Sequence, residues 1–164
     1  MVVTTGNKSE MAVGYATLYG DMCGGYNPVK DIYKTELFTL CKWRNQNNPE
    51  DLLGGDYPIP DNIIIKPPSA ELRDDQKDSD SLPEYEVLDD ILFGLIELEL
   101  PVEDILARGH TVADVKRIQH LLYIAEYKRR QAPPGVKISS KNFGKDRRYP
   151  ITNGYRDLVP DEKA

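Results

Sequence analysis

The sequence is poor in the residues that usually announce a site. It has two cysteines, Cys23 and Cys41, and two histidines, His110 and His120. Most of a predicted helix separates the cysteines, so they form neither a zinc spacing nor a redox pair and read as reduced structural thiols. The histidines have no ligand spacing to each other and read as structural or surface groups. No apolar run approaches a membrane span, which argues against a membrane protein. The start, Met-Val-Val-Thr-Thr-Gly, has neither the basic region nor the apolar core of a secretory signal, and a cytoplasmic protein is expected. Positive charge is also short: 21 Lys and Arg against 27 Asp and Glu give a net charge of -6. That balance argues against general nucleic-acid binding.

What is present is an ordinary globular composition, with 40% hydrophobic and 29% charged residues over 164 positions. One core, as one domain or part of one, is expected. The charge is uneven, acidic from Glu71 to Asp90 and basic from Lys128 to Arg148. The acidic block reads as a solvated loop and helix start. The basic run, opposed only by Asp146, reads as an anion-binding surface.

In chain order, Val2 to Thr5 is a β-branched run that predicts a parallel strand, and a single parallel strand needs neighbours to satisfy its backbone. Thr5-Gly6-Asn7 then places a small hydroxyl and a permissive glycine at the strand's carboxyl end, where open α/β sheets bind ligands. Asn7 or Ser9 can cap the next helix, Ser9 to about Leu18, whose Glu10 carboxylate could ligate a hard metal ion. Gly24-Gly25 and Asn27-Pro28 are turn chemistry able to bring backbone amides to a phosphate or ribose. Asp31 to about Asn45 predicts an amphipathic core helix with Lys34 on its first turns. Asn45 to Asp56 is a surface loop, and Pro60 to Ile64 predicts one capped helical turn.

The paired prolines after Lys66 hold that segment extended and fix where the Ser69 hydroxyl points. Arg73 to Pro83 has almost no apolar content and should be mobile. Tyr85 to Leu98 carries Leu88, Ile91, Leu92, Leu95 and Ile96 in a helical pattern. Pro101 opens a short helix that Gly109 closes. Thr111 with Asp114 caps a long helix whose Val115, Ile118, Leu122 and Ala125 face inward, and which runs out at Tyr127 to Gln131.

Four motifs are more specific than these spacings: Thr-Thr-Gly-Asn-Lys-Ser-Glu (Thr4 to Glu10), Tyr-Gly-Asp-Met-Cys-Gly-Gly-Tyr-Asn-Pro (Tyr19 to Pro28), Lys-Pro-Pro-Ser-Ala-Glu-Leu (Lys66 to Leu72) and Tyr-Lys-Arg-Arg-Gln-Ala-Pro-Pro (Tyr127 to Pro134). In this order, and over nearly the whole chain, they resemble the carboxy-terminal part of NAD+ synthetase. The run from Ser139 to Asn153 resembles the glutamine-dependent bacterial branch. One family motif, the phosphate loop Ser-Gly-Gly-x-Asp-Ser, is missing. Neither Gly24-Gly25 nor Gly54-Gly55 has its flanking serines.

The resemblance implies an α/β fold, part of a Rossmann-like adenine nucleotide alpha-hydrolase (PP-loop ATP pyrophosphatase) domain, mostly helical here. Residues 1–164 would be the C-terminal portion of the ammonia-ligase domain, with the phosphate-loop half and the glutaminase domain absent. The implied reaction is ATP-dependent amidation of deamido-NAD+ to NAD+, in which ammonia displaces AMP from an adenylated carboxylate. The implied residues are Thr5, Lys34 and Ser69 for ATP, Glu10 and Lys128 for deamido-NAD+, and Glu10 also for Mg2+. No nucleophilic side chain is required. Arg73 to Pro83 resembles the segment that orders over bound nucleotides. A homo-oligomer is expected, and the alternative reading is a non-catalytic fragment or subunit that binds nucleotide or a partner chain.

Overall fold

The computed structural model describes residues 1–50, 52–66 and 82–157. Among these the chain forms seven helices: α1 (Lys8–Val13), α2 (Lys34–Gln46), α3 (Asp61–Ile65), α4 (Tyr85–Ile96), α5 (Val102–Ala107), α6 (Val112–Ile124) and α7 (Glu126–Arg129). The described part is therefore mostly helical.

The α4 stripe forms the centre of the core. Leu88, Ile91, Leu92 and Ile96 are fully enclosed, as are Ile105 of α5 and Val115, Ile118 and Leu122 of α6. Burying each such side chain contributes about 1.5–3 kcal/mol. Ala12 and Val13 of α1, Tyr33 and Phe143 close the same cluster. The α6 start is as expected, with the Thr111 hydroxyl accepting from the Asp114 amide at 3.1 Å.

Several expectations need correction. Val2 to Thr5 forms no strand element but one parallel bridge, Val3 to Tyr26. The Thr4 amide donates to the Tyr26 carbonyl, and the Gly25 amide to the Val2 carbonyl, each at 2.9 Å. With a turn as its one neighbour among the described residues, the β-branched run has nothing to extend a ladder along. The approach explains Gly24, where a Cβ would lie 2.5 Å from Thr4 Cγ2.

The first helix stops at Val13 rather than near Leu18. Gly14 caps it in the left-handed conformation at φ 70°, and a Cβ there would lie 2.8 Å from Ala125 Cβ. The α2 helix is not a core helix: none of its residues is buried, and Leu40 and Trp43 are each 46% exposed. It packs against α1, α3 and α4, which cover only part of its circumference.

The segment expected to be mobile, Arg73 to Pro83, lies outside the described residues except at its end. There Leu82 is buried in the core, so the packed chain begins before Pro83.

Candidate functional site

The start of α1 is fixed by a reciprocal cap. The Asn7 side chain accepts from the Glu10 amide, and Glu10 Oε2 accepts from the Asn7 amide, both at 3.0 Å. Asn7, and not Ser9, is the cap. The box holds the Glu10 carboxylate at the first turn and leaves Oε1 to accept from Lys34 Nζ at 3.0 Å. Both side chains of this pair are about one-sixth exposed (17% and 18%). The Lys34 ammonium also lies over the rings of Phe38 and Tyr85, at 5.6 and 5.4 Å from their centroids. Two residues expected at one site thus meet, although they are 24 positions apart.

Thr5 is exposed just before the cap, in a segment tied down by Asn27 Nδ2 donating to the Gly6 carbonyl at 2.7 Å. Ser69 lies outside the described residues. Lys128 is at the other end of α1, where its Nζ donates to the carbonyls of Gly14 and Ala16 at 2.7 and 2.8 Å. An ammonium has three donors, and among the described residues two of them are taken. The expected amides of the glycine turn are partly spent, because Gly25 N–H is held by Val2.

The basic run is not the uncompensated surface that its sequence suggests. Lys137 pairs with Asp146 at 2.7 Å, while Lys141 and Arg147 share Glu99 at 3.2 and 2.8 Å. Arg129 and Arg130 both meet Glu126, at 3.0 and 2.7 Å. Arg129 is buried and donates to the Ala12 and Leu122 carbonyls at 2.6 Å each. Glu126 just before the run, Asp146 within it and the distant Glu99 together neutralise much of its positive charge. Outside the basic run, His110 also has a partner, Asp90 Oδ2, at 2.6 Å.

Beneath the Glu10–Lys34 pair lie polar groups that sequence reasoning missed. Lys8 is fully buried. Its ammonium meets Glu97, Asp31 Oδ1 at 3.1 Å, Ser139 Oγ at 2.6 Å and the Lys141 carbonyl at 3.0 Å. Burial pushes the Asp31 and Glu97 carboxyls up, but their hydrogen bonds and the Lys8 charge outweigh it and hold both below the usual range.

Asp89 behaves oppositely. Burial raises its carboxyl although Ser9 and Thr35 donate to it. The signal for Asp89 was its place, a carboxylate within the inward stripe between Leu88 and Leu92. Lys8 and Ser9 lie inside a quoted motif but carried no sign of burial.

A magnesium ion is implied by the resemblance. Among the described residues no three His, Cys, Asp or Glu side chains cluster as a metal cage. The Glu10 carboxylate could supply one ligand, with the rest from phosphate oxygens and water, as is usual for Mg2+ at nucleotides.

The chain matches the NAD synthase family model over residues 1–132. It is 56% identical over 155 residues to the glutamine-dependent NAD(+) synthetase of Xanthomonas campestris, covering 94% of this chain and 27% of that protein. With the Rhodobacter capsulatus enzyme of the same name it shares 56% over 158 residues, 96% of this chain and 29% of that one. It therefore spans under a third of the length of these relatives.

The fold is similar to the glutamine-dependent NAD(+) synthetase of Cytophaga hutchinsonii, with a TM-score of 0.68 at 24% identity, over 93% of this chain and 24% of that chain. It is also similar to the NMN synthetase of Francisella tularensis, with a TM-score of 0.56 at 26% identity over 77% and 43%. Helices of this arrangement are thus those of an NAD synthetase fold. The chain belongs to the NAD synthase family.

Proposed function

We propose that these residues supply part of the synthetase site of a glutamine-dependent NAD+ synthetase, the C-terminal portion of a Rossmann-like PP-loop domain. The reaction is amidation of deamido-NAD+ with consumption of ATP and release of AMP and pyrophosphate. The Glu10–Lys34 pair carries this reading, because the last residue of the first motif and a lysine that the resemblance singles out meet from two helices at 3.0 Å.

A carboxylate is a poor electrophile, and adenylation gives it a leaving group that ammonia displaces. The adenylation step separates pyrophosphate from ATP, and the chain's part is to hold and neutralise the charge that develops. Lys34 binds ATP phosphates, leaving Glu10 as the polyphosphate displaces it. The Thr5 hydroxyl and, in the segment outside the described residues, Ser69 donate to ATP. Glu10 would hold Mg2+, which when bound neutralises the departing pyrophosphate. The third donor of Lys128 takes an oxygen of deamido-NAD+, at the far end of α1 from Lys34. Ammonia comes from glutamine through a glutaminase domain that is not among these residues.

Within these 164 residues there is no Ser-Gly-Gly-x-Asp-Ser loop, and the chain alone is expected to make no NAD+. Amidation should appear when a polypeptide carrying that loop is supplied. Ammonia-dependent turnover by the isolated chain would show that another segment replaces the loop. In the complete enzyme, Lys34→Ala should raise the KM for ATP about tenfold or more while the KM for deamido-NAD+ holds. An unchanged ATP dependence would sink the assignment.

We propose a cytoplasmic, self-associating chain. Exposed Leu40, Trp43, Ile63 and Ile65 on α2 and α3 support self-association. Among the described residues, no helix is long and apolar enough to cross a membrane.

A further inference from the structure

The start of α2 is held partly from within, by the Tyr33 amide donating to Glu36 Oε2 at 3.1 Å, and partly from outside itself. Tyr33, its N-cap residue, makes no side-chain cap hydrogen bond, yet the first-turn amides have partners. The Lys34 amide donates to Ser9 Oγ at 2.9 Å, and the Thr35 amide donates to Asp89 Oδ2 at 2.9 Å. The Thr35 hydroxyl donates to the same oxygen at 2.8 Å, and the Ser9 hydroxyl donates to the other oxygen, Oδ1. One carboxylate from α4 therefore joins the residue before Glu10 to the residue after Lys34. Asp89 is 6% exposed, in a site where an unpaired carboxylate would be costly.

We propose that Asp89 is a positioning residue for ATP, which through Ser9 and Thr35 sets the start of α2 so that Lys34 stands at the required distance from Glu10. This rests on the reading of Lys34 as a phosphate ligand. The geometry makes the coupling specific. Glu10 is fixed by the Asn7 box on α1, while no residue within α2 is buried, so its start is held by the buried Tyr33 just before it and by the bonds around Lys34. The placement of Lys34 then depends on the bonds at the helix start, and Asp89 supplies three of the links in that knot. An acceptor-only carboxylate suits it, since all three partners donate.

The test uses the complete synthetase containing these residues, with ATP binding read by calorimetry and turnover by steady-state kinetics. Asp89→Asn removes one acceptor and keeps the shape. It should weaken ATP binding and raise the KM for ATP about tenfold, the scale of groups that orient a ligating residue. The KM for deamido-NAD+ should stay within about twofold, because Glu10 keeps its place in the Asn7 box and Lys128 lies at the far end of α1.

Thr35→Val, a milder change at a half-buried position, should weaken ATP binding about threefold, and Thr35→Ser should restore it. These two variants decide the matter if Asp89→Asn does not fold. ATP affinity within twofold of wild type in the variants that fold would overturn the proposal. So would equal losses for both substrates, which mark general loosening. A wild-type enzyme that binds ATP but makes no NAD+ would sink the synthetase reading alone, and the calorimetry would still judge Asp89. A wild type that does not bind ATP would sink both.

Discussion

The two halves of this structure are held together by different means. Around α4, α5 and α6, apolar side chains at helical spacing close on each other: Leu88, Ile91, Leu92, Ile105, Ile118 and Leu122 are all fully buried. Around the start of α1, the same degree of burial is reached by Asn7, Lys8 and Ser9, whose partners lie as far away as Ser139 and Lys141. The apolar half tolerates change in proportion to the volume removed. The polar half depends on each partner being present, because a buried charge that loses its counter-charge keeps its desolvation cost. The candidate site stands on the polar half.

Removing the central cation should have the largest effect. Lys8→Ala leaves Asp31 and Glu97 without it, and unfolding by urea should show a loss of about 3–5 kcal/mol. A loss under about 1 kcal/mol would erase the contrast between the halves. In the apolar half, Leu92→Ala should cost about 2–5 kcal/mol, the amount rising with the cavity left behind. It should leave the ATP-to-deamido-NAD+ KM ratio alone in a complete enzyme, and a shift in that ratio would mean that the halves are coupled.

Lys128→Ala in the complete enzyme should weaken apparent deamido-NAD+ affinity by about 1–3 kcal/mol with ATP affinity nearly unchanged. Because Lys128 also holds the Gly14 and Ala16 carbonyls, the loss should be accompanied by lower stability. A stability loss with no change for deamido-NAD+ would leave it a purely structural lysine. Thr111→Ala, at the cap of α6, should cost about 1 kcal/mol in urea unfolding, and equal stability would mean that the cap hydroxyl contributes nothing.

Acid distinguishes the halves as well. The Asp31 and Glu97 carboxyls are held low in the fold. Their stabilisation is fully present above the unfolded carboxylate values and is lost as pH falls through the lower folded values. Asp89 is held high, so its ionisation costs stability as pH rises from the unfolded value through the folded one. Measured stability against pH should show these opposed slopes, and Lys8→Ala should flatten the acid loss. A wild-type acid loss unchanged in that variant would remove Lys8 from the account.

The apolar half was legible because its information is local. The stripe of Tyr85 to Leu98 and the inward set Val115, Ile118, Leu122 and Ala125 repeat at the helical period, and burial follows from the period alone. Lys34 and Lys128 were singled out only through resemblance, and Thr5 and Glu10 by resemblance and by a weak positional signal. Nothing in their spacing says that Glu10 meets Lys34, or that Lys128 crosses to the end of α1.

The same reasoning misled at Val2 to Thr5, where β-branched residues promised a ladder that the described residues do not supply, and in α2, where an apolar pattern met too few neighbours. The sequence by itself determined where α3 to α6 start, because the Thr111 cap and the prolines act on their own few residues, but not that Gly14 ends α1. Tertiary structure alone decided the fate of the charges. Whether Lys8 is solvated or buried depends on carboxylates and a carbonyl tens of residues away, and whether Lys141 and Arg147 are free or paired depends on the distant Glu99. Electrostatic cost is set by that final environment.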